Sequence, residues 1–293
     1  MRVFVLGGTG RIGSAVVRQL AARGHELIGL ARSNTSAARL SQLGATPIAG
    51  DIGSPQAWLA ELPSLDAVIH MACDFSTDMA AVDRRLLDGL LSALAALKEK
   101  PRFIYTGGCW LFGASGNAVV TETTSIDPLP AFAWMVPQIA RVLAFPDIHG
   151  IVIHPAMVYA GSGGVFERFA RAAAEGRPVR VVGSEAVRWP LVHSEDLAQL
   201  YALALERARS GESYIGAAIE GFPVGRIARA FARRFGAGDE TPAIISANTA
   251  ATELGEWARG YARDQRLSGD KARRDLGWAP RHLDPEGEIA ALP

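Results

Sequence analysis

The chain has 293 residues, 49% of them apolar and 20% charged, and its 30 basic side chains are balanced by 30 acidic ones. That fits one large globular domain, or a large domain carrying a smaller one, and excludes wholesale disorder. Zero net charge without a basic stripe argues against a protein that grips nucleic acid through its phosphates.

Val3-Phe4-Val5-Leu6 opens the chain as a strand. It lacks polar alternation, so both of its faces are expected to be covered, as in a parallel sheet. Gly7-Gly8-Thr9-Gly10-Arg11-Ile12-Gly13 follows, then a helix over 14–23 stopped by Gly24, then a second strand over 25–30. Strand, glycine turn, helix, strand is the context a dinucleotide motif requires. Gly7 lets the chain turn, Gly10 lets the backbone approach a pyrophosphate, and Gly13 lets the helix pack closely. The anion then lies over free N–H groups at the helix start, with Thr9, Arg11 and Ile12 completing the loop.

The second strand ends Leu30-Ala31-Arg32-Ser33, with no carboxylate to hold the ribose hydroxyls of NAD. Arg32 and Ser33 suit a 2′-phosphate, and Arg11 is placed to face the same group, so NADP is expected over NAD. The alternative is that both arginines are solvated surface residues.

A third strand, over 46–49, leads to Asp51-Ile52, where a carboxylate suits the adenine amino group or a turn. The fourth, over 67–71, ends Met71-Ala72-Cys73-Asp74, small enough for a cofactor to pass. A leucine-rich helix is expected over 83–98. The fifth strand, over 102–105, precedes Thr106-Gly107-Gly108, and the sixth, over 151–153, precedes His154-Pro155. This alternation predicts an α/β fold: a Rossmann-like, doubly wound parallel sheet, with ligands beyond the carboxyl ends of its strands. Residues 1–160, with later segments returning to them, form the expected dinucleotide domain. Residues 161–293 form most of a smaller substrate-side lobe, starting at a glycine-rich turn and a helix over 165–175.

Cys73 and Cys109 cannot build a disulfide scaffold. The first residues lack the features of a signal peptide, and no uninterrupted apolar run reaches ~18 residues. A cytoplasmic protein without membrane contact is expected. The histidines are scattered along the chain, so no metal is expected, and no Gly-x-Ser-x-Gly suggests a serine hydrolase.

With these residues in view, the sequence resembles an extended or atypical short-chain dehydrogenase/reductase of the NAD(P)-dependent epimerase/dehydratase type. The resemblance covers nearly the whole chain. It rests on the glycine loop, Asp51-Ile52, His154-Pro155-Ala156-Met157-Val158-Tyr159-Ala160, Trp189 to Ala198, and the tail from Ser268 through Leu276-Gly277-Trp278-Ala279-Pro280. It implies a small-molecule substrate, a monomer or homodimer, and cofactor contacts from Met71, Ala72, Thr106, His154 and Pro155. The family's chemistry rests on a Ser/Thr after the fifth strand and a Tyr-x-x-x-Lys helix, where Tyr exchanges the proton and Lys tunes it and holds the ribose.

Here the pattern departs. Gly107-Gly108 stands at the Ser-Ser pair, leaving Thr106 or Cys109 nearest, and the best register puts Trp134 on the Tyr and Gln138 on the Lys. An indole N–H is no acid near neutral pH, though Gln138 can still hydrogen-bond a ribose. Proton delivery is then expected from another donor, such as Tyr159, Asp74, His193 or water. Asp74, Cys109, Trp110, Phe112, Trp134 and His193 are the expected substrate-pocket residues. Their aromatic character favours a small hydrophobic carbonyl or enone. A sugar nucleotide would need a diphosphate clamp, for which Arg168, Arg177, Arg180 and Arg188 are candidates. Three readings follow: an NADP(H)-dependent oxidoreductase, a non-catalytic NADP(H)-binding sensor, and a sugar-nucleotide epimerase/dehydratase.

Overall fold

The computed structural model describes residues 1–236 and 241–293. The six predicted strands are β1 (Arg2–Leu6), β2 (Glu26–Ala31), β3 (Ala45–Ala49), β4 (Ala67–His70), β5 (Arg102–Thr106) and β6 (His149–Pro155). The chain continues through β7 (Met157–Ala160), β8 (Gly163–Gly164), β9 (Arg180–Val182), β10 (Arg188–His193) and β11 (Glu212–Gly216). The central sheet has seven strands in the order β3-β2-β1-β4-β5-β6-β11, every neighbouring pair parallel. Winding reverses between β1 and β4, which opens a crevice at their carboxyl ends.

Helices cover both faces: α1 (Arg11–Ala22), α2 (Asn34–Gln42), α3 (Met79–Ala95), α4 (Met135–Ala144), α5 (Glu167–Ala174) and α6 (Ser194–Arg207) follow in chain order. Val3 and Val5 belong to the core shared with α1 and α6, whereas Phe4 and Leu6 belong to the core shared with α3. Two covered faces explain why β1 shows no polar alternation. The seventh strand escaped prediction because Glu212-Ser213-Tyr214 carries no apolar run, and β11 lies at the sheet edge. Helix α3 begins one turn before its predicted start. Asp78 caps it, accepting from the Ala81 N–H at 3.1 Å, while Asp83 turns inward and is buried.

The remaining elements are β12 (Ile219–Pro223), α7 (Val224–Phe235), β13 (Ala243–Ile245), α8 (Ala247–Leu254), α9 (Asp270–Leu276) and α10 (Pro285–Ala290). They build a second sheet ordered β12-β10-β7-β8 and a β9–β13 pair. The tail is tied back through Asp196 of α6, whose carboxylate accepts from the N–H groups of Arg281 and His282, each at 2.9 Å. The Trp278 indole donates to the Asp196 carbonyl at 2.7 Å. Two motif segments far apart in sequence thus form one contact. Among the described residues, no helix is long and apolar enough to cross a membrane.

Candidate active site

The glycine loop closes on itself and on β4. The Gly10 N–H donates to the Gly7 carbonyl at 3.0 Å. Gly7 has φ +83°, and a Cβ there would lie 2.8 Å from the Ala72 nitrogen. A Cβ on Gly13 would lie 2.0 Å from the Gly7 carbonyl oxygen, so α1 can approach this closely only with glycine. No side chain caps α1, and no acidic residue occupies its first turn. Its leading N–H groups are therefore free of a side-chain acceptor and suit an anion. Gly7, Thr9 and Gly10 line a cavity of about 260 Å³, together with Asp51 and Ile52. The residues fit a dinucleotide.

Arg32 and Asp74, an ion pair 3.5 Å apart, also line this cavity, as does Ser36. Asp74 accepts from the Ser76 N–H and hydroxyl. These bonds, and Arg32 more weakly, hold its carboxyl below the usual range. A carboxyl held ionised is a poor proton donor to a substrate. Ser33 has a different task from the one the sequence suggests. It is the N-cap of α2, sharing a capping box with Ser36, and Ser36 rather than Ser33 lines the cavity. Arg11 does not join Arg32. It pairs with Glu167 and borders a second cavity.

That second cavity encloses about 500 Å³ and shares Met71, Ala72 and Cys73 with the first. Ile12, Thr106, Pro155 and Cys109 also line it. Its wall is an aromatic cluster centred on Trp110, whose ring lies 5.7 Å from Phe132, 6.1 Å from Trp257 and 5.5 Å from Tyr261. Phe75 stands 5.9 Å from Trp257 and is exposed. Gly260 makes this packing possible, since a Cβ there would lie 2.4 Å from the Trp110 indole. Trp134 lines the same cavity. Sequence reading identified Trp110 and Trp134 but not Phe75, Phe132, Trp257 or Tyr261, because loops far apart in the chain bring these rings together.

Residues 3–216 match the family model described as the NAD dependent epimerase/dehydratase family. The chain belongs to this family. An uncharacterized protein of Schizosaccharomyces pombe is 30% identical over 99% of each chain. The 4-hydroxy-2-methyl-3-oxo-4-farnesyl-3,4-dihydroquinoline-1-oxide ketoreductase of Stigmatella aurantiaca is 26% identical over 98% of this chain and 94% of its own. The human epimerase family protein SDR39U1, solved with NADPH, has the same fold, with a TM-score of 0.80 at 20% identity over 100% of this chain and 99% of that one.

Trp134 stands at the start of α4 and its indole donates to the Ala131 carbonyl at 3.1 Å, so its one polar atom is already engaged. Pro137 is tolerated because it falls in the first turn of α4. Gln138 is buried on α4 outside the cavity lining. Thr106 does line the cavity, with its hydroxyl 2.7 Å from that of Tyr201.

Other expected site residues are turned away. Tyr159 is buried against Phe166 with its ring centroid 4.6 Å off, and its hydroxyl lies 3.4 Å from Glu288. Burial and that carboxylate raise its pKa, and it cannot reach the cavity. His193 precedes α6 and accepts from the Glu195 N–H at 3.3 Å, with its ring stacked 3.8 Å from His282. Phe112 and His154 pack edge to face at 5.2 Å, both buried outside the cavity lining, and burial pushes His154 down to about 4. Contrary to their scatter in sequence, His193, Glu195 and His282 gather with ligand atoms within 4.8 Å. His193 spends its Nδ1 lone pair on a backbone N–H, and nearly parallel stacked rings aim poorly at one ion.

One polar group in the cavity was not anticipated. The parallel register sets His70 beside Tyr105. On α3, Asp83 lies 2.9 Å from His70 Nε2 through Oδ1 and accepts from the Tyr105 hydroxyl at 3.0 Å through Oδ2. All three residues are buried and border the cavity. His70 and Tyr105 read as ordinary strand residues, and Asp83 as a helix start. Only pairing of β4 with β5 under α3 joins them.

Proposed function

We propose that the protein is an NADP(H)-dependent reductase of a small hydrophobic carbonyl or enone compound. The observation that carries this reading is the pair of adjoining cavities. One is edged by an uncapped glycine helix and Arg32, the other by aromatic rings. Gly7, Thr9, Gly10 and the start of α1 would hold the pyrophosphate, Asp51 and Ile52 the adenine, and Arg32 with Ser36 the 2′-phosphate. A bound NADPH supplies hydride. The chain supplies an apolar, water-poor wall that selects a flat, uncharged substrate.

A sugar nucleotide fits less well. Arg177 pairs with Glu175, Arg180 with Glu253 and Arg188 with Asp264, while Arg168 lies over the Tyr261 ring at 4.3 Å. None of the four lines the cavity. The name of the Stigmatella relative as a ketoreductase supports a carbonyl substrate.

Calorimetric titration with NADPH, NADP, NADH and NAD tests the cofactor half. NADPH is expected to bind at least about tenfold tighter than NADH, ~1.4 kcal/mol, and Arg32→Asp to erase the difference. A carbonyl and enone panel followed at 340 nm tests the substrate half. Tight NADPH binding with no turnover would favour the sensor reading, which the Trp134 and Gln138 exchanges support. No dinucleotide binding would remove both.

A further inference from the structure

The end of β2 carries no carboxylate to hold the ribose hydroxyls of NAD, and the fold brings one there from another strand. We propose that Asp74, which follows β4, is a second cofactor-selecting residue. It favours NADH by accepting from the ribose hydroxyls, and so limits the preference for NADPH that Arg32 creates. The inference rests on the NADP(H) reading above and deepens it.

Sheet order brings the two residues together. Strands β2 and β4 flank β1, so the chain leaving the carboxyl end of each runs beside the glycine turn. Arg32 follows β2, Asp74 follows β4, and both line the glycine-lined cavity.

The carboxylate is fixed before any ligand arrives. Its Oδ1 accepts from the Ser76 N–H at 2.9 Å and from the Ser76 hydroxyl at 2.6 Å. The Asp74 carbonyl accepts from the Thr77 hydroxyl at 3.1 Å, which closes the turn. That leaves Oδ2, 3.5 Å from Arg32 Nη1. The two side chains differ in freedom, for Arg32 is 70% exposed and Asp74 26%. Arg32 can therefore turn to follow a ligand while the carboxylate stays in place. Asp51, also in this cavity, spends one oxygen on the Gly53 N–H at 2.7 Å and is not the partner of Arg32.

This arrangement acts on the two cofactors in opposite directions. A 2′-phosphate drawn to Arg32 shares that guanidinium with a fixed negative charge, and like charges repel. A ribose 2′-hydroxyl is a donor, and a carboxylate with one oxygen uncommitted to the turn accepts from it. An acid at the end of the second strand gives the same service in other dinucleotide folds. The Ser76 bonds hold the Asp74 carboxyl below its usual range, so the charge is present at neutral pH.

The test is calorimetric titration of the full chain with NADPH and NADH, at low and at high salt, comparing wild type with Asp74→Asn. Asparagine keeps an oxygen for Ser76 and removes the charge. The ratio of NADPH to NADH affinity is expected to rise about tenfold, with NADPH tighter and NADH weaker. Both charges are partly exposed, so this gain should shrink as salt rises. Asp74→Ser also removes the charge and serves if Asp74→Asn does not fold. A ratio that falls or rises by less than about threefold, or a gain indifferent to salt, overturns the proposal. The NADP(H) reading would still stand, because Arg32→Asp tests it separately. Wild-type protein that binds no dinucleotide overturns both.

Discussion

The two cavities are built in opposite ways. The glycine-lined one is floored by the backbone turn at Gly7, Thr9 and Gly10, with residues that follow β2, β3 and β4 completing it. The aromatic one is made of side chains from four stretches: Phe75, Trp110, the pair Phe132 and Trp134, and the pair Trp257 and Tyr261. Backbone recognition tolerates almost no change in residue type at the contact but needs little from the rest of the chain. Side-chain recognition lets each residue vary and depends on the whole tertiary arrangement.

The sharpest way to break this contrast is Gly13→Val. The added Cβ would meet the Gly7 carbonyl oxygen at 2.0 Å, and both partners are backbone. Denaturant unfolding should show a loss of about 3 kcal/mol, at the upper end for overpacking, and dinucleotide binding should disappear. A stable variant that still binds would show that the loop is more forgiving than its geometry.

A second effect comes from His154, packed behind Gly107. Its folded pKa is lowered to about 4, from 6.5. Between those values the unfolded chain binds the extra proton and the folded chain does not. Its contribution is therefore complete above about pH 6.5 and is lost as the pH falls toward 4, by about 1.4 kcal/mol per pH unit. Stability measured across this window should flatten in His154→Gln.

The aromatic wall should respond more gently. Trp257→Ala removes ring contacts worth on the order of 1 kcal/mol, so KM for an aromatic carbonyl should rise about fivefold while NADPH affinity holds. An equal loss for both ligands would mean that the two cavities are energetically one. Smallest is Ser33→Ala. Loss of the α2 cap should cost about 1 kcal/mol of stability without touching NADPH affinity. Weakened NADPH binding there would return Ser33 to the phosphate.

Much of the sheet was readable because β1, β2, β4, β5 and β6 are short apolar runs that the fold buries, while β3, at one edge, is only half-buried. β11 was not, since an edge strand needs no such run. Asp51 and Ile52 were found by their place after a strand, and they line the first cavity. Tyr159 and His193 looked equally eligible in sequence, but β7 and β10 pair with each other and carry both side chains toward the C-terminal tail. The His70–Asp83–Tyr105 array left no linear signal, because its members are spaced 13 and 22 residues apart and meet only across two strands and a helix.

By itself the sequence determined the glycine loop and the parallel α/β order. These follow from local conformational demands and from which side chains exist at all. Tertiary structure decided which polar groups border the cavity and which are spent on caps and on the tail. Strand register and helix packing set the direction of each side chain, and no run of neighbouring residues encodes that direction alone.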